Sequence, residues 1–119
     1  MGKKILIVED EDLIVKVLSI RLEDLGYAVL TASDGEAGLA AAKKEKPDLA
    51  LIDLGLPKLD GSALCRLIKS DGTLKHIKVI MLTGRAAGAE ESVNAGADLY
   101  VGKPYEWEHL RVQLQKLLA

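Results

Sequence analysis

Phenylalanine is missing altogether, and one tryptophan with three tyrosines leaves an aromatic fraction of only 3%. Any core must therefore be aliphatic, built from the Leu, Ile, Val and Ala that dominate an apolar share of 49%. Cysteine occurs once, at Cys65, which excludes an internal disulfide framework and a cysteine-based zinc site. A lone cysteine also fits a reducing compartment. No apolar run approaches the roughly 18–20 residues that a bilayer span needs. Behind Met1-Gly2-Lys3-Lys4, the run Ile5–Val8 is too short for a signal-peptide core and has no cleavage site. Leu6 stands where a myristoylation signal wants Ser or Thr. An excess of positive charge is also lacking: 16 basic against 18 acidic residues give a formal net charge of −2, which argues against a broad nucleic-acid footprint. These absences predict a soluble cytoplasmic domain with no membrane partner and no direct nucleic-acid partner. No linker or low-complexity tract divides the chain, so residues 1–119 read as one domain.

What is present is an alternation of strand-length apolar runs with longer stretches of helical spacing. Ile5–Val8 is a continuous β-branched-rich run, as expected for a strand covered on both faces. A helix is predicted from about Asp12 to Leu25, closed by Gly26, and a second strand from Tyr27 to Ala32. Ser33-Asp34-Gly35 signals a helix start, the Ala-rich segment Glu36–Lys46 is helical, and Pro47 ends it. Gly38 inside that helix costs roughly 1 kcal/mol relative to alanine, which implies close packing there. Asp48–Asp53 forms a third strand, followed by a loop over Gly55–Gly61 with Pro57 and an Asp60-Gly61 turn. Ser62 to about Ser70 is a third helix, Lys78–Thr83 a fourth strand, and Glu90–Ala95 the clearest part of a short, weak fourth helix that ends at Gly96. Leu99–Gly102 is a fifth strand. The last helix carries Trp107, Leu110, Leu114, Leu117 and Leu118 as an apolar stripe, with Glu106 and Glu108 in its first turn. Five such units with short connections predict an α/β fold, a doubly wound parallel sheet with helices on both faces.

In such sheets functional sites form at the carboxyl ends of the strands. Those ends carry Glu9-Asp10-Glu11, Asp53, Thr83 and Lys103-Pro104. Two carboxylates about 4 Å apart repel by up to ~4 kcal/mol at an effective dielectric of 20, so a cluster of them wants a cation. Oxygen donors with positions left for water and phosphate suit Mg²⁺, with Mn²⁺ as a substitute, better than zinc. A carboxylate beside such an ion is a competent nucleophile toward phosphorus, and a lysine would neutralise charge on the transferring group. Thr83 can donate a hydrogen bond to a phosphoryl oxygen.

These motifs carry a resemblance along essentially the whole chain: Ile5-Leu6-Ile7-Val8-Glu9-Asp10-Glu11, Pro47 through Pro57, Asp60-Gly61, Val79-Ile80-Met81-Leu82-Thr83-Gly84, Gly96-Ala97-Asp98 and Lys103-Pro104. In this order and spacing the sequence resembles bacterial two-component response-regulator receiver (CheY-like) domains. The resemblance implies a flavodoxin-like fold with five parallel strands in the order 2-1-3-4-5. It implies Asp53 as phospho-acceptor, Asp10 as a direct Mg²⁺ ligand, Glu9 as a ligand acting through a metal-bound water, and Gly55 as a ligand through its backbone carbonyl. Lys103 would pair with the phosphoryl group, across a cis peptide bond to Pro104. Thr83 would be the switch hydroxyl and Tyr100 the aromatic that turns inward as it moves. Implied partners are a sensor histidine kinase or histidine phosphotransfer protein upstream, and an effector protein or missing output domain downstream. Such a protein is a signalling switch rather than an enzyme, assisting only its own phosphorylation and dephosphorylation. The chain departs from the family in Glu9, where Asp is commoner, in Leu59 for a frequent Met, and in Tyr105 for the usual Phe. Arg85 and Gly55 occupy positions where the family tunes the lifetime of the acyl phosphate.

Plainer readings exist for each residue. Glu9 and Asp10 could cap the first helix, Thr83 could be an ordinary strand residue, and Tyr100 could serve packing. His76 and His109 read as solvent-facing, Cys65 as a buried apolar filler, and Trp107 as partly buried or part of a partner surface. A metal-dependent phosphohydrolase of the haloacid dehalogenase type would use Asp10 in Asp10-Glu11-Asp12 as nucleophile, but Leu13-Ile14 follow where a Gly-Thr-like turn is wanted. A flavin site would want a Ser/Thr/Gly phosphate loop where Glu9–Asp12 would repel phosphate, and no Asp-x-His-x-x-Gly cobalamin loop is present.

Overall fold

The structure, a computed structural model, describes residues 2–84 and 88–119. Its elements run β1 (Lys4–Val8), α1 (Asp12–Asp24), β2 (Ala28–Ala32), α2 (Gly35–Glu45), β3 (Leu49–Asp53), α3 (Gly61–Ser70), β4 (Lys78–Thr83), α4 (Gly88–Asn94), β5 (Leu99–Gly102) and α5 (Trp107–Leu118). The strands form one parallel sheet in the order β2-β1-β3-β4-β5, the flavodoxin-like order that the resemblance implied.

The reason for the layering can be read along each inner strand. Successive strand residues point to opposite faces, so an unbroken apolar run serves two cores. Leu6, Val8, Ala50, Ile52, Val79 and Met81 face one way, where α2 and α3 bring Ala42, Leu64, Cys65 and Ile68. Ile5, Ile7, Leu49, Leu51, Ile80 and Leu82 face the other, against Leu18 and Leu22 of α1 and Leu110, Leu114 and Leu118 of α5. The fully buried positions of both layers hold no aromatic ring, as a chain without phenylalanine favours, and Tyr27, Tyr105 and Trp107 pack only at the margin of the second. Cys65 is fully buried, and its thiol donates to the Ala95 carbonyl at 3.4 Å. Burial pushes that thiol up to about 11, so it behaves as the apolar filler expected. Gly38 also meets its expectation: a Cβ there would lie 3.0 Å from Val8 Cγ1 and 3.1 Å from Leu64 Cδ2.

Several element ends differ from the sequence expectation, some of them at a polar contact that periodicity cannot register. β2 begins at Ala28 rather than Tyr27, whose ring packs with the α1/α5 layer instead. β3 begins at Leu49 because Asp48 closes the edge of β1, its Oδ2 accepting the Lys4 N–H at 2.8 Å. α2 starts at Gly35, capped by Asp34 Oδ1 on the Ala37 N–H at 2.8 Å, and ends at Glu45 with Lys46 left-handed at φ +46°. Asp60-Gly61 is not a turn: Asp60 is the N-cap of α3 and Gly61 its first residue. α4 spans Gly88–Asn94, starting two residues ahead of the clearest helical stretch in the sequence and stopping one short of Ala95, and Arg85 lies outside the described residues.

The Asp60 cap gives a checkable magnitude. Its Oδ1 accepts from the Ala63 N–H and the Ser62 hydroxyl, each at 2.9 Å. Asp60→Ala leaves those donors without that partner and should lower unfolding stability by about 1 kcal/mol. In urea titration the midpoint should fall at unchanged slope.

Candidate functional site

At the carboxyl edge, β1 and β3 pair with Val8 opposite Ile52, so Glu9, just past β1, and Asp53, the last residue of β3, stand side by side. Glu9 is 2% exposed, an uncommon burial for a carboxylate, and both of its oxygens are engaged. Oε2 accepts the N–H groups of Asp10 at 3.0 Å and Glu11 at 3.2 Å, folding the chain back at the entry to α1. Oε1 lies 3.4 Å from Lys103 Nζ, which reaches across from the end of β5 and also donates to Asp53 Oδ1 at 3.0 Å. Glu9, Asp10 and Asp53 can each offer one carboxylate oxygen, all within 4.8 Å of one another.

The electrostatics follow from that crowding. Burial and then the charge of Asp53 push the Glu9 carboxyl above its ordinary range, against the pull of Lys103 and the Glu11 N–H. Burial works against the charge on Lys103, yet the hydrogen bond and charge of Asp53, with Glu9 behind them, outweigh it and hold the ammonium above its usual value. Three carboxylates and one ammonium leave a formal charge of −2, which matches one divalent cation. The donors are hard oxygens with neither sulfur nor imidazole among them, so the set suits Mg²⁺ or Mn²⁺ better than zinc.

The remaining predicted residues lie around this cluster at different removes. Thr83 ends β4 beside Gly102 and is 4% exposed; its carbonyl accepts the Lys103 N–H at 2.7 Å, joining the two strand ends. Gly55 is exposed in the loop after β3. The Lys103-Pro104 peptide is cis. Tyr100, paired with Met81 on β5, is 45% exposed, so its ring faces outward here rather than inward. His76 and His109 are exposed and belong to no such cluster among the described residues. Trp107 is half-buried with the Arg21 guanidinium 5.3 Å from its ring centroid, a cation–π contact between α5 and α1.

Two features of the site escaped the sequence reading. One is the double engagement of Glu9, which acts on its own backbone and on Lys103 at once; the longer Glu arm in place of Asp was the only signal. The other is Gly61, where an added Cβ would collide with the Asp53 carbonyl oxygen and approach Leu54 Cα to 2.8 Å. The start of α3 thus lies directly against the backbone of Asp53, a contact between residues that a turn reading would not bring together.

Known proteins place this geometry. Residues 5–115 match the response regulator receiver domain family. The alkaline phosphatase synthesis transcriptional regulatory protein PhoP of Bacillus subtilis is 39% identical over 99% of this chain and 49% of its own length. The chain therefore spans about half the length of the curated relatives it matches. Among solved structures, the chemotaxis response regulator CheY4 of Vibrio cholerae superposes with a TM-score of 0.91 at 30% identity, covering 98% of this chain and 99% of that one. The receiver domain of sensor histidine kinase PA1611 from Pseudomonas aeruginosa, with a magnesium ion coordinated in its active-site cleft, gives a TM-score of 0.89 at 31% identity, covering 99% and 98%. Strand order, acidic edge and family match agree: the chain belongs to the response regulator receiver domains of two-component signalling.

Proposed function

We propose that residues 1–119 form one Mg²⁺-dependent, phospho-accepting receiver domain in which Asp53 takes a phosphoryl group from a histidine kinase or a histidine phosphotransfer protein. The observation that carries this reading is Lys103 Nζ at 3.0 Å from Asp53 within a group of three carboxylates whose oxygens lie within 4.8 Å. Asp10 and Asp53 would hold the ion directly, the Gly55 carbonyl would add a ligand, and Glu9, whose oxygens are already engaged, would act through water. Bound Mg²⁺ supplies charge neutralisation and alignment for the transferring phosphoryl group. Asp53 contributes the nucleophile: a carboxylate oxygen bonds to phosphorus as the phosphorus–nitrogen bond to the donor histidine breaks, and the imidazole leaves with its electron pair and takes up a proton. The Lys103 ammonium, released from its contact with Asp53 Oδ1, hydrogen-bonds a phosphoryl oxygen. Thr83 donates its hydroxyl to another.

The product biases an equilibrium that the protein already has. Thr83 moves toward the phosphoryl group, Tyr100 leaves its outward position for the space vacated, and the altered face is read by an effector protein or an output domain. The domain works in the cytoplasm as a switch, with catalysis confined to its own acyl phosphate. Among the described residues, no helix is long and apolar enough to cross a membrane. Asp53 is favoured over Asp10 as the nucleophile because its side chain is 14% exposed and ion-paired, whereas Asp10 is exposed.

The test is incubation with acetyl phosphate, with Mg²⁺ or with EDTA, followed by borohydride trapping and peptide mapping. Reduction to a modified residue at Asp53, only with the ion present, is the expected result. Modification at Asp10, or equal labelling in EDTA, would refute the reading.

A further inference from the structure

Thr83 is buried at the end of β4, and Gly88, itself buried as the first residue of α4, lies directly against it. A Cβ added at Gly88 would stand 2.7 Å from Thr83 Cβ and 2.5 Å from its Cγ2, with Oγ1 closer still. Carbon atoms rest about 3.5–4.0 Å apart, so a side chain of any size at this position overlaps the threonine. Rotation about χ1 exchanges the places of Oγ1 and Cγ2 but leaves Cβ where it is. No rotamer of Thr83 therefore makes room, and β4 cannot recede because it is buried throughout from Val79 to Thr83. The start of α4 would have to give way instead.

That helix is tied at both ends. Ser92, 1% exposed, donates its hydroxyl to the Gly88 carbonyl at 2.6 Å. Just past the last turn, the Ala95 carbonyl accepts from Cys65 of α3 at 3.4 Å, and the Ala97 N–H donates to Ser92 at 3.0 Å. Alanine is the better helix former, so helix propensity does not explain a glycine here; the contact with Thr83 does.

We propose that Gly88 is a positioning residue of the switch: its bare backbone rests on the Thr83 side chain, so that displacement of the hydroxyl is passed directly to the first turn of α4. The proposal rests on Thr83 being the switch hydroxyl and names the contact through which it acts. Ser92 keeps that first turn rigid enough to follow.

Amide ¹H–¹⁵N spectra of wild type, Gly88→Ala and Ser92→Ala, recorded with Mg²⁺ before and after saturation with beryllofluoride, test it. In Gly88→Ala, resonances around Asp53 should shift as in wild type while the shifts at Ser92, Leu99 and Tyr100 fall at least twofold. Ser92→Ala adds no bulk and should reduce the same responses by a smaller factor. A merely structural role would alter the melting temperature and leave the response of the bound protein intact. Wild-type responses in Gly88→Ala, or in Ser92→Ala should the first variant fail to fold, overturn the proposal. A wild type that shows no change around Asp53 on saturation with beryllofluoride refutes the phospho-acceptor reading itself, and the coupling falls with it.

Discussion

Asp53→Asn is expected to take no phosphoryl label from acetyl phosphate under conditions that label the wild type to completion. The amide has nearly the same shape and keeps an oxygen able to accept from Lys103, so the fold and the neighbouring contacts should survive. What it lacks is the anionic oxygen that attacks phosphorus, and no arrangement of the remaining groups supplies one at that place. The substitution also reduces the formal charge of the cluster from −2 to −1, so Mg²⁺ should bind at least about tenfold more weakly, or about 1.4 kcal/mol. Asp10→Asn gives the complementary result: label still appears on Asp53, more slowly and at a higher Mg²⁺ requirement. Intact mass and Mg²⁺ titration calorimetry on the three proteins separate the cases. Full labelling of Asp53→Asn with loss in Asp10→Asn would instead identify a hydrolase-like nucleophile at position 10.

Replacement of Lys103 by methionine should move two quantities in opposite directions. The ammonium lies 3.0 Å from Asp53 and 3.4 Å from Glu9, where it offsets the carboxylates before any cation arrives. During transfer it stabilises charge that develops on the phosphoryl oxygens, and loss of one such group from a preorganised site typically slows the chemical step about 10²–10³-fold. The same loss leaves three carboxylates uncompensated and makes the site a better trap for a divalent ion. At an effective dielectric of 20 a unit charge about 4 Å away is worth at most ~4 kcal/mol, and solvent around a side chain that is 27% exposed reduces that. Mg²⁺ affinity should therefore rise by about tenfold while the phosphorylation rate falls. Calorimetry and time-resolved intact mass read the two effects independently. Weaker Mg²⁺ binding in Lys103→Met would mean that the lysine organises the site by contact rather than through its charge.

Legibility from the sequence differed between the fold and the site, for a physical reason in each case. Runs such as Ile5–Val8 and Leu49–Ile52 announce strands covered on both faces because only a doubly covered strand can be apolar at every position. The helical stripes announce their own buried sides in the same way. Element ends were less legible because they are set by single polar contacts, such as Asp48 on the Lys4 N–H or Asp60 on the Ala63 N–H. Glu9, Asp10, Asp53 and Lys103 could be nominated from their positions after strands, since the parallel crossover rule brings all such ends to one edge.

Chain order thus settled which residues reach that edge and how many carboxylates would compete for a cation there. The three-dimensional packing alone decided that Glu9 turns back on its own backbone while holding Lys103, that Tyr100 faces outward, and that Gly61 and Gly88 press on Asp53 and Thr83. These are contacts between atoms remote along the chain or separated by a bend, and their distances depend on how helices seat on the sheet. Periodicity records which face a residue presents, and carries no information on how closely two faces approach.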